Sequence, residues 1–339
     1  MSTCLEDLSA IMLPEIENEL HRCLESIDRR RADSLYAMLA YHLGWEGQEG
    51  AQKPSGKRIR PLLLLLVSSA CGGDWRIALP AAASIELVHN FSLIHDDIED
   101  NDHTRRGRPT LWKKWGLPLA LNAGDSMFAL AHLALYGLKS NVSAEMMIKV
   151  THLLQQTCLR LTEGQHLDIS YAERTDLEIE DYWPMVNAKT AALIAASTEI
   201  GALLGGANQK RQKIYRDFGE KLGLAFQVLD DFLGVWGDPH ITGKSAASDL
   251  SEGKKSLPVL YGLSKKAEFT RRWREGTSST GDVSLLANLL ADEGARTYTL
   301  EASARLTGEA LAALSAAAPQ GEAGKALGEL SKHLLSRNQ

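Results

Sequence analysis

The chain has 339 residues, 44% of them hydrophobic and 24% charged, and its 43 acidic and 37 basic side chains give a formal net charge of −6. This composition is typical of a globular protein and excludes a disordered or collagen-like chain. The acidic balance argues against sequence-independent nucleic-acid binding, which needs a basic surface. We expect one domain over residues 1–339, because no segment between the predicted helices is long enough to be a linker.

The first residues and the apolar segments bear on location. Glu6 and Asp7 lie near the start and no basic stretch precedes an apolar one, so we expect no secretory signal and a cytoplasmic protein. The apolar run 62–67 is far below the roughly 18 residues that span a bilayer, so we expect no membrane span. The four cysteines lack C-x-x-C spacing and predict neither a zinc site nor a disulfide framework.

Alanine- and leucine-rich segments with apolar residues three and four positions apart recur along almost the whole chain, and no strand signature stands out. The predicted fold class is therefore all-α. In chain order, the predicted helices lie near residues 15–30, 33–43, 57–71, 77–99, 117–138, 142–169, 179–204, 208–236 and 256–273, and two or three more follow between 283 and 336.

The predicted helix 77–99 ends in an acidic cluster, within the sequence ELVHNFSLIHDDIED. Asp96 and Asp100 are four residues apart and share one helical face, with Asp97 to one side, so like charges crowd near the negative end of the helix dipole. Carboxylates in this pattern suit magnesium that also binds diphosphate. A solvated acidic helix end is the alternative interpretation.

A second acidic pair, Asp230 and Asp231, lies inside the otherwise apolar segment LGLAFQVLDDFLGVW. Unpaired charge in an apolar helix is costly, so two such sites in one chain favour a functional role. Gln227 lies three residues earlier on the same face and can donate a hydrogen bond into the same site, although a surface glutamine is an equally good interpretation of this residue alone.

Cationic side chains that could meet phosphate oxygens form four clusters. Each cluster alone is ordinary surface charge, but together with both aspartate pairs they indicate diphosphate binding. The clusters are GKRIRP at 56–61, which opens a predicted helix, Arg105 with Arg106, Lys189 beside Thr190, and Lys244 with Lys254 and Lys255.

These residues resemble the trans-isoprenyl diphosphate synthases, or polyprenyl synthetases, in order and spacing from 56 to about 261. The matching motifs are GKRIRP, HNFSLIHDDIEDND, RRGRPT, NAGD, EGQHLD, KTA, FQVLDDFLG, TGKSAASDL and GKKSLP. The resemblance implies an all-α fold, a single large helical bundle around a deep central cavity, and a homodimer. It also implies condensation of isopentenyl diphosphate with an allylic diphosphate, using magnesium, with three ions per active site.

The resemblance also implies a role for each matching residue. Asp96, Asp97 and Asp100, with Asp230 and Asp231, would hold magnesium on the allylic diphosphate. The allylic site would further contain Lys189, Thr190, Gln227 and Arg105, and Lys244 and Lys254 would close over the diphosphate. The residues that would bind isopentenyl diphosphate are Lys57, Arg60, His89 and Arg106; a satisfied buried histidine is the alternative interpretation of His89.

Two positions depart from, or refine, the family pattern. Gly234 stands where the second aspartate motif of the family has its third acid; the two candidates for that place are Asp238 and water. Phe91 and Ser92, five and four residues before Asp96, match the family's chain-length positions. By resemblance, this pair favours the geranylgeranyl product of bacterial short-chain synthases over farnesyl. On an ideal helix Phe91 points away from Asp96, so the family rule needs a distorted helix or a neighbouring chain.

Two other interpretations compete with a condensing synthase. A class I terpene cyclase would carry asparagine, then serine or threonine, then an acid in its second motif, and no asparagine here meets that spacing. A non-catalytic regulatory subunit of a heteromeric prenyl synthase usually loses aspartates or the arginine pair, which this chain retains. The sequence therefore favours a catalytic synthase, with farnesyl diphosphate as the alternative product.

Overall fold

The computed structural model describes residues 3–45, 57–238, 247–275 and 280–335, and these residues are almost entirely helical. The first ten helices are α1 (Cys4–Leu24), α2 (Arg29–Leu43), α3 (Ile59–Ala70), α4 (Leu79–Glu99), α5 (Leu111–Trp115), α6 (Leu117–Ala134), α7 (Ala144–Ala172), α8 (Ile179–Val186), α9 (Ala192–Leu204) and α10 (Gln209–Trp236). Further helices are Ser248–Ser251, Leu257–Lys265, Glu268–Glu275, Thr280–Asp292, Ala295–Ala316 and Gly321–Leu335, and 3₁₀ turns cover Trp75–Ala78 and Leu135–Ser140.

The first predicted helix, 15–30, was placed too far along the chain. Helix α1 begins at Cys4 because Thr3 caps it: the Thr3 hydroxyl accepts from the Glu6 N–H at 3.2 Å, and the Glu6 carboxylate accepts from the Thr3 N–H at 2.9 Å. It ends at Leu24, and Asp28 starts α2 by accepting from the Arg30 N–H at 3.1 Å.

Two other predicted helices are interrupted. The helix predicted over 179–204 contains a π-helical turn at Asn187–Ala191, between α8 and α9. The helix predicted over 256–273 divides at Lys266, which adopts a left-handed conformation with φ of 53°. Such a turn ends a helix because a left-handed residue cannot continue the right-handed hydrogen-bond ladder.

The sequence also missed a two-stranded antiparallel ladder, β1 (Thr104–Arg105) and β2 (Arg108–Pro109), in which Arg105 pairs with Arg108. It is too short to leave an alternating pattern. The left-handed Arg106 and Gly107, with φ of 53° and 72°, form its turn. The hairpin therefore places the arginine pair just after α4.

The chain contacts divide into two compact units, described here separately. The first contains residues 1–156, 196–215 and 318–329. In this unit α4 packs against α6, α3 and α1. The segment from Leu79 to Val88 in α4 is buried, as is the leucine run 62–67 of α3. Helix α4 therefore forms the centre of this core and ends in the acidic cluster.

The second unit contains residues 157–195, 216–317 and 330–339. One of its apolar clusters surrounds Tyr182 and Val228, and another surrounds Phe269 and Leu286. The helices Leu257–Lys265 and Ala295–Ala316 pack against each other in this unit. These contacts fix the C-terminal half of α10, which carries the second aspartate pair.

Within the described part of the chain, one helical segment, Trp75–Glu99, is long and apolar enough to cross a bilayer by length and composition. Its most apolar window has a mean hydropathy of 1.4, but 78% of that window is buried inside the protein. A core helix gives the same signal, so this segment is weak support for a membrane span.

Candidate active site

The first aspartate motif occupies the last turn of α4, in the first unit. Asp96 is half-buried and Asp100 is exposed one turn further on, where the Asp100 N–H donates to the Asp96 carbonyl at 2.8 Å. Both carboxylates thus occupy one face of the helix end, as the spacing predicts. This face can offer oxygen donors to a bound cation.

Asp97 differs from its two neighbours because it is only 2% exposed. The Arg105 Nε donates to its carboxylate at 2.5 Å. Burial raises the pKa of Asp97 to about 6, although the Arg105 cation and its hydrogen bond act in the opposite direction. Asp97 therefore anchors the β1–β2 hairpin against α4, and Arg105 folds back onto this helix.

The residues assigned to isopentenyl diphosphate lie in the first unit as well. Arg60 Nη1 lies 3.1 Å from His89 Nε2, so α3 and α4 present these two side chains together. Burial, with Arg60 and Arg106 nearby, holds the pKa of His89 well below its usual value and keeps the ring neutral. Lys57 and Arg106 are exposed at the start of α3 and in the hairpin turn.

The second aspartate motif lies on α10, in the second unit. Asp230 is half-buried, whereas Asp231 is buried and accepts three hydrogen bonds. Its donors are the Tyr182 hydroxyl at 2.7 Å, the Gln227 amide at 2.8 Å and the Leu257 N–H at 3.0 Å. Burial and the nearby Asp249 carboxylate raise the pKa of Asp231 to about 7, against the effect of these hydrogen bonds.

The π-helical turn positions Lys189 and Thr190. Lys189 forms an ion pair with Asp168 of α7, and the Thr190 hydroxyl donates to the Gln227 carbonyl oxygen at 2.8 Å. A Cβ on Gly164 would lie 2.2 Å from the backbone nitrogen of Lys189, so only glycine lets α7 approach the turn this closely. π turns are frequent at functional sites because they shift side chains out of the helical register.

Gly234 stands where the second motif of the family has its third acid, and the Asp249 carboxylate lies beside this glycine. A Cβ on Gly234 would lie 2.4 Å from the Asp249 carboxylate, which is buried against α10. Asp238, one of the two candidates from the sequence, is instead exposed. Glycine at 234 therefore leaves room for the Asp249 carboxylate, which lies next to the second motif.

Of the two lysines expected to close over the diphosphate, Lys254 lies among the described residues. Lys254 is exposed and its ammonium lies 2.8 Å from the Glu252 carboxylate. Lys244 lies outside the described residues.

The two chain-length positions lie on α4, where Ser92 is four residues and Phe91 five residues before Asp96. Phe91 is 8% exposed and its ring packs edge-on against Phe128 of α6, with centroids 4.8 Å apart. The Ser92 hydroxyl donates to the His89 carbonyl at 2.9 Å, and this bond holds the small, half-buried side chain close to its own helix. Phe91 therefore adds bulk between α4 and α6, not directly beneath Asp96, in agreement with ideal helical geometry.

The donor chemistry fits magnesium bound together with diphosphate. Among the described residues, no group of three or more His, Cys, Asp or Glu side chains is arranged to hold a metal ion by itself. Magnesium usually keeps several waters and takes one or two carboxylates plus substrate phosphates. Asp96 and Asp230 are half-buried and Asp100 is exposed, so their carboxylates are accessible oxygens of this kind, whereas Asp97 and Asp231 are buried.

Sequence reasoning missed two residues of the second site. Tyr182 carried no signal, since an aromatic residue in a helix is ordinarily a core residue. Its hydroxyl donates to Asp231, and burial beside that carboxylate raises the pKa of Tyr182 well above its usual value. Asp249 could have been found in the motif TGKSAASDL, but only the fold brings it to Gly234.

A predominantly helical fold with an aspartate pair on each of two helices and basic side chains in both units is typical of the class of enzymes that act on isoprenyl diphosphates. The chain belongs to the polyprenyl synthetase family, whose model matches residues 49–290. It is a trans-prenyltransferase, and the predicted family, enzyme class and all-α isoprenoid synthase fold are confirmed.

The relatives include synthases of two product lengths. The chain is 39% identical to (2E,6E)-farnesyl diphosphate synthase of Mycobacterium tuberculosis, over 82% of this chain and 80% of that protein. It is 41% identical to a geranylgeranyl diphosphate synthase of the same organism, over 74% of this chain and 70% of that protein.

Solved structures match almost the whole chain. Polyprenyl synthetase from Streptomyces coelicolor superposes with a TM-score of 0.85 and 33% identity, over 98% of both chains. Geranylgeranyl pyrophosphate synthetase from Pyrococcus horikoshii gives a TM-score of 0.86 and 30% identity, over 96% of both.

Proposed function

We propose that the protein is a magnesium-dependent synthase that condenses isopentenyl diphosphate with dimethylallyl, geranyl and farnesyl diphosphates to make geranylgeranyl diphosphate. One observation supports this proposal: each unit of the chain brings together side chains suited to diphosphate. In the first unit Arg60 lies beside neutral His89, and in the second Lys189 precedes Thr190, whose hydroxyl donates to Gln227 next to Asp231. A cyclase needs only one diphosphate site, whereas a condensing enzyme needs two.

In the proposed reaction the bond between the allylic carbon and its diphosphate breaks first. Magnesium, when bound, supplies positive charge that stabilises this leaving group. Asp96 and Asp100 of the first unit, and Asp230 of the second, are the oxygen donors that would hold it, each from its own unit, and Asp97 and Asp231 are the buried acids of the two motifs. Lys189 places a further cation beside the phosphates, and Arg105 fixes the hairpin that follows α4.

The double bond of isopentenyl diphosphate then attacks the allylic cation, and the new chain loses a proton. The cationic Lys57, Arg60 and Arg106 cannot accept that proton. Neutral His89 is a poor base because its pKa is held well below the usual value. We therefore assign the released diphosphate as the proton acceptor. Exclusion of water is needed throughout, since water would trap the cation as an alcohol.

The proposed product length rests on Phe91 and Ser92. A growing chain that passes Ser92 meets little bulk, whereas the packed rings of Phe91 and Phe128 close the space between α4 and α6. Farnesyl diphosphate is the alternative product, because the relatives include a farnesyl diphosphate synthase at similar identity.

The test is to incubate purified protein with isopentenyl diphosphate, magnesium and each of the three allylic primers in turn, and to analyse the dephosphorylated products by mass-resolved chromatography. Geranylgeraniol from all three primers is the expected result. Farnesol alone would replace the proposed product with the alternative. No elongation from any primer would overturn the synthase proposal in favour of a non-catalytic partner subunit.

We further propose that the protein works as a homodimer in the cytoplasm. Helix α6 and the following turn expose Leu117, Leu121, Leu133 and Tyr136, and α7 exposes Ile148 nearby in the chain. Tyr136 and Ile148 also line a mainly apolar groove of about 470 Å³. A second copy would cover such a surface, since exposed apolar patches of this kind are unusual on monomers.

Analytical ultracentrifugation at micromolar concentration tests the assembly. The natural chain is expected to sediment with twice its chain mass, and Ile148→Glu is expected to weaken the dimer at least tenfold. Leu285→Glu is the matched control, because Leu285 is an exposed leucine of the second unit. A monomeric natural protein, or an equal effect of both substitutions, would contradict the proposed interface.

A further inference from the structure

In the sequence Arg58 lies between Lys57 and Arg60, the two residues of this segment assigned to isopentenyl diphosphate. Unlike an ordinary surface arginine, it is buried. It is 3% exposed and adopts a left-handed backbone conformation with φ of 46° as the N-cap of α3. A non-glycine residue in this region is uncommon and needs support from its surroundings. The support comes from the side chain itself.

The Arg58 guanidinium is held by acceptors from three segments of the first unit. Its Nη1 donates to Glu86 of α4 at 2.8 Å, its Nε donates to Glu17 of α1 at 2.8 Å, and its Nη2 donates to the Leu43 carbonyl at 2.9 Å. Burial alone would lower the pKa of Arg58, but Glu86 and Glu17 offset this and raise it. The charged pair is therefore retained inside the protein.

Glu86 is also 2% exposed, and the amide of the buried Asn90 donates to its Oε1 at 2.9 Å. Its charge reaches beyond Arg58: it counteracts the lowering of the pKa that burial imposes on Arg60. Glu86 thus faces Arg58 directly and acts on a substrate-binding arginine at longer range. One buried carboxylate balances a cluster of arginines that would otherwise repel one another.

We propose that Glu86, through its ion pair with Arg58, is a positioning residue of the isopentenyl diphosphate site. This inference rests on the proposed function. The pair fixes the strained backbone between Lys57 and Arg60, so that both cations point toward one diphosphate before it binds. Neither Glu86 nor Arg58 needs to touch the substrate. Preorganisation of this kind lowers the cost of ordering long side chains on binding.

The experiment measures steady-state KM for isopentenyl diphosphate and for the allylic diphosphate separately, in Glu86→Gln and in Arg58→Gly. Glu86→Gln keeps the side-chain shape and removes the charge. Arg58→Gly removes the ion pairs but accepts the left-handed backbone without strain. Each variant is expected to raise KM for isopentenyl diphosphate at least tenfold, with KM for the allylic substrate changed less than twofold.

Glu19→Gln is the matched control, because Glu19 is also buried and pairs with Arg22 at 2.8 Å but faces no substrate-binding arginine. It is expected to leave both KM values unchanged. If Glu86→Gln fails to fold, Arg58→Lys provides the test, because it keeps the charge and loses the two-pronged guanidinium. It must then raise KM for isopentenyl diphosphate and leave KM for the allylic substrate nearly unchanged. An equal rise in both KM values, or no rise, overturns the positioning role. An inactive natural protein would overturn the proposed function instead.

Discussion

Asp97 of α4 and Asp231 of α10 are each the second aspartate of a motif, and both are buried, but the protein stabilises them differently. Asp97 pairs with a cation, Arg105, and its pKa is about 6. Asp231 accepts from Tyr182, Gln227 and the Leu257 N–H, all neutral donors, beside the Asp249 carboxylate, and its pKa is about 7. Neutral donors orient a carboxylate but do not cancel its charge.

The difference indicates separate tasks for the two regions. The first motif carries its own counterion and fixes the hairpin next to α4. In the second motif the Asp249 carboxylate raises the pKa of the buried Asp231, and a divalent cation would stabilise both carboxylates. We therefore expect the second motif to depend more strongly on bound metal than the first.

The largest expected effect comes from the first aspartate of each motif. Asp96→Ala and Asp230→Ala should each reduce kcat by at least about a thousandfold, because each removes an oxygen donor for the leaving-group cation. Helical circular dichroism should stay unchanged.

The matched controls are Glu99→Gln and Asp238→Asn, exposed acids close to the two motifs. They should retain activity within about threefold of the natural enzyme, as is usual for surface positions. If helicity falls in step with activity in Asp96→Ala or Asp230→Ala, these aspartates are structural.

The next effect concerns the third acid of the second site. Gly234→Asp should lower activity by roughly a hundredfold, because its Cβ would lie 2.4 Å from the Asp249 carboxylate and a second buried charge would be added. In Gly234→Asp combined with Asp249→Gly, the acid moves onto α10 and most of the activity should return. The affinity for Mn²⁺ with diphosphate, measured by calorimetric titration, should likewise fall in the single variant and recover in the double variant. A double variant no better than the single one would argue against Asp249 as the third acid.

A smaller effect is expected in stability. The pKa of Asp231 is near its ordinary value of 3.8 in the unfolded protein and about 7 in the folded protein. Between these two pH values the folded state therefore binds more protons than the unfolded state. The free energy of unfolding of the metal-free protein should therefore fall as pH rises from about 4 to about 7, by at most roughly 4 kcal/mol.

Urea unfolding at pH 5 and pH 8 measures this loss. Asp231→Asn should remove most of it, and Asp97→Asn should remove less, because the pKa of Asp97 is raised only to about 6. Asp217→Asn, at an exposed position of α10, is the control and should leave the pH dependence intact. A larger change for Asp97→Asn than for Asp231→Asn would reverse the comparison.

The smallest energetic effect is expected on product length. Phe91→Ala should shift product toward longer chains, because it removes bulk between α4 and α6, while total turnover stays within about tenfold. Phe232→Leu, next to Asp231 on α10, should leave the product distribution unchanged, since Phe232 lies on the other motif helix. Mass-resolved chromatography measures the product chain lengths of both variants. An unchanged distribution in Phe91→Ala would remove Phe91 as a length determinant.

The sequence was informative where a residue's role depends on its neighbours along the chain. Helical periodicity predicted most helices, and the four-residue spacing placed Asp96 and Asp100 on one face. It was less informative at α1, where the Thr3–Glu6 capping box starts the helix earlier than the apolar pattern does. It also missed the two-residue strands of the hairpin, which are too short to show a period.

What the sequence determined by itself is the class of chemistry: its acidic pairs and basic clusters identify a diphosphate-using enzyme because carboxylate and cation types are local properties. Only the tertiary structure decided how deeply each carboxylate is buried. Asp97 meets Arg105, Asp231 meets Tyr182, Asp249 fills the space at Gly234, and Glu86 meets Arg58. Most of these partners lie far apart in the chain, so their burial and pKa values depend on packing that no local pattern contains.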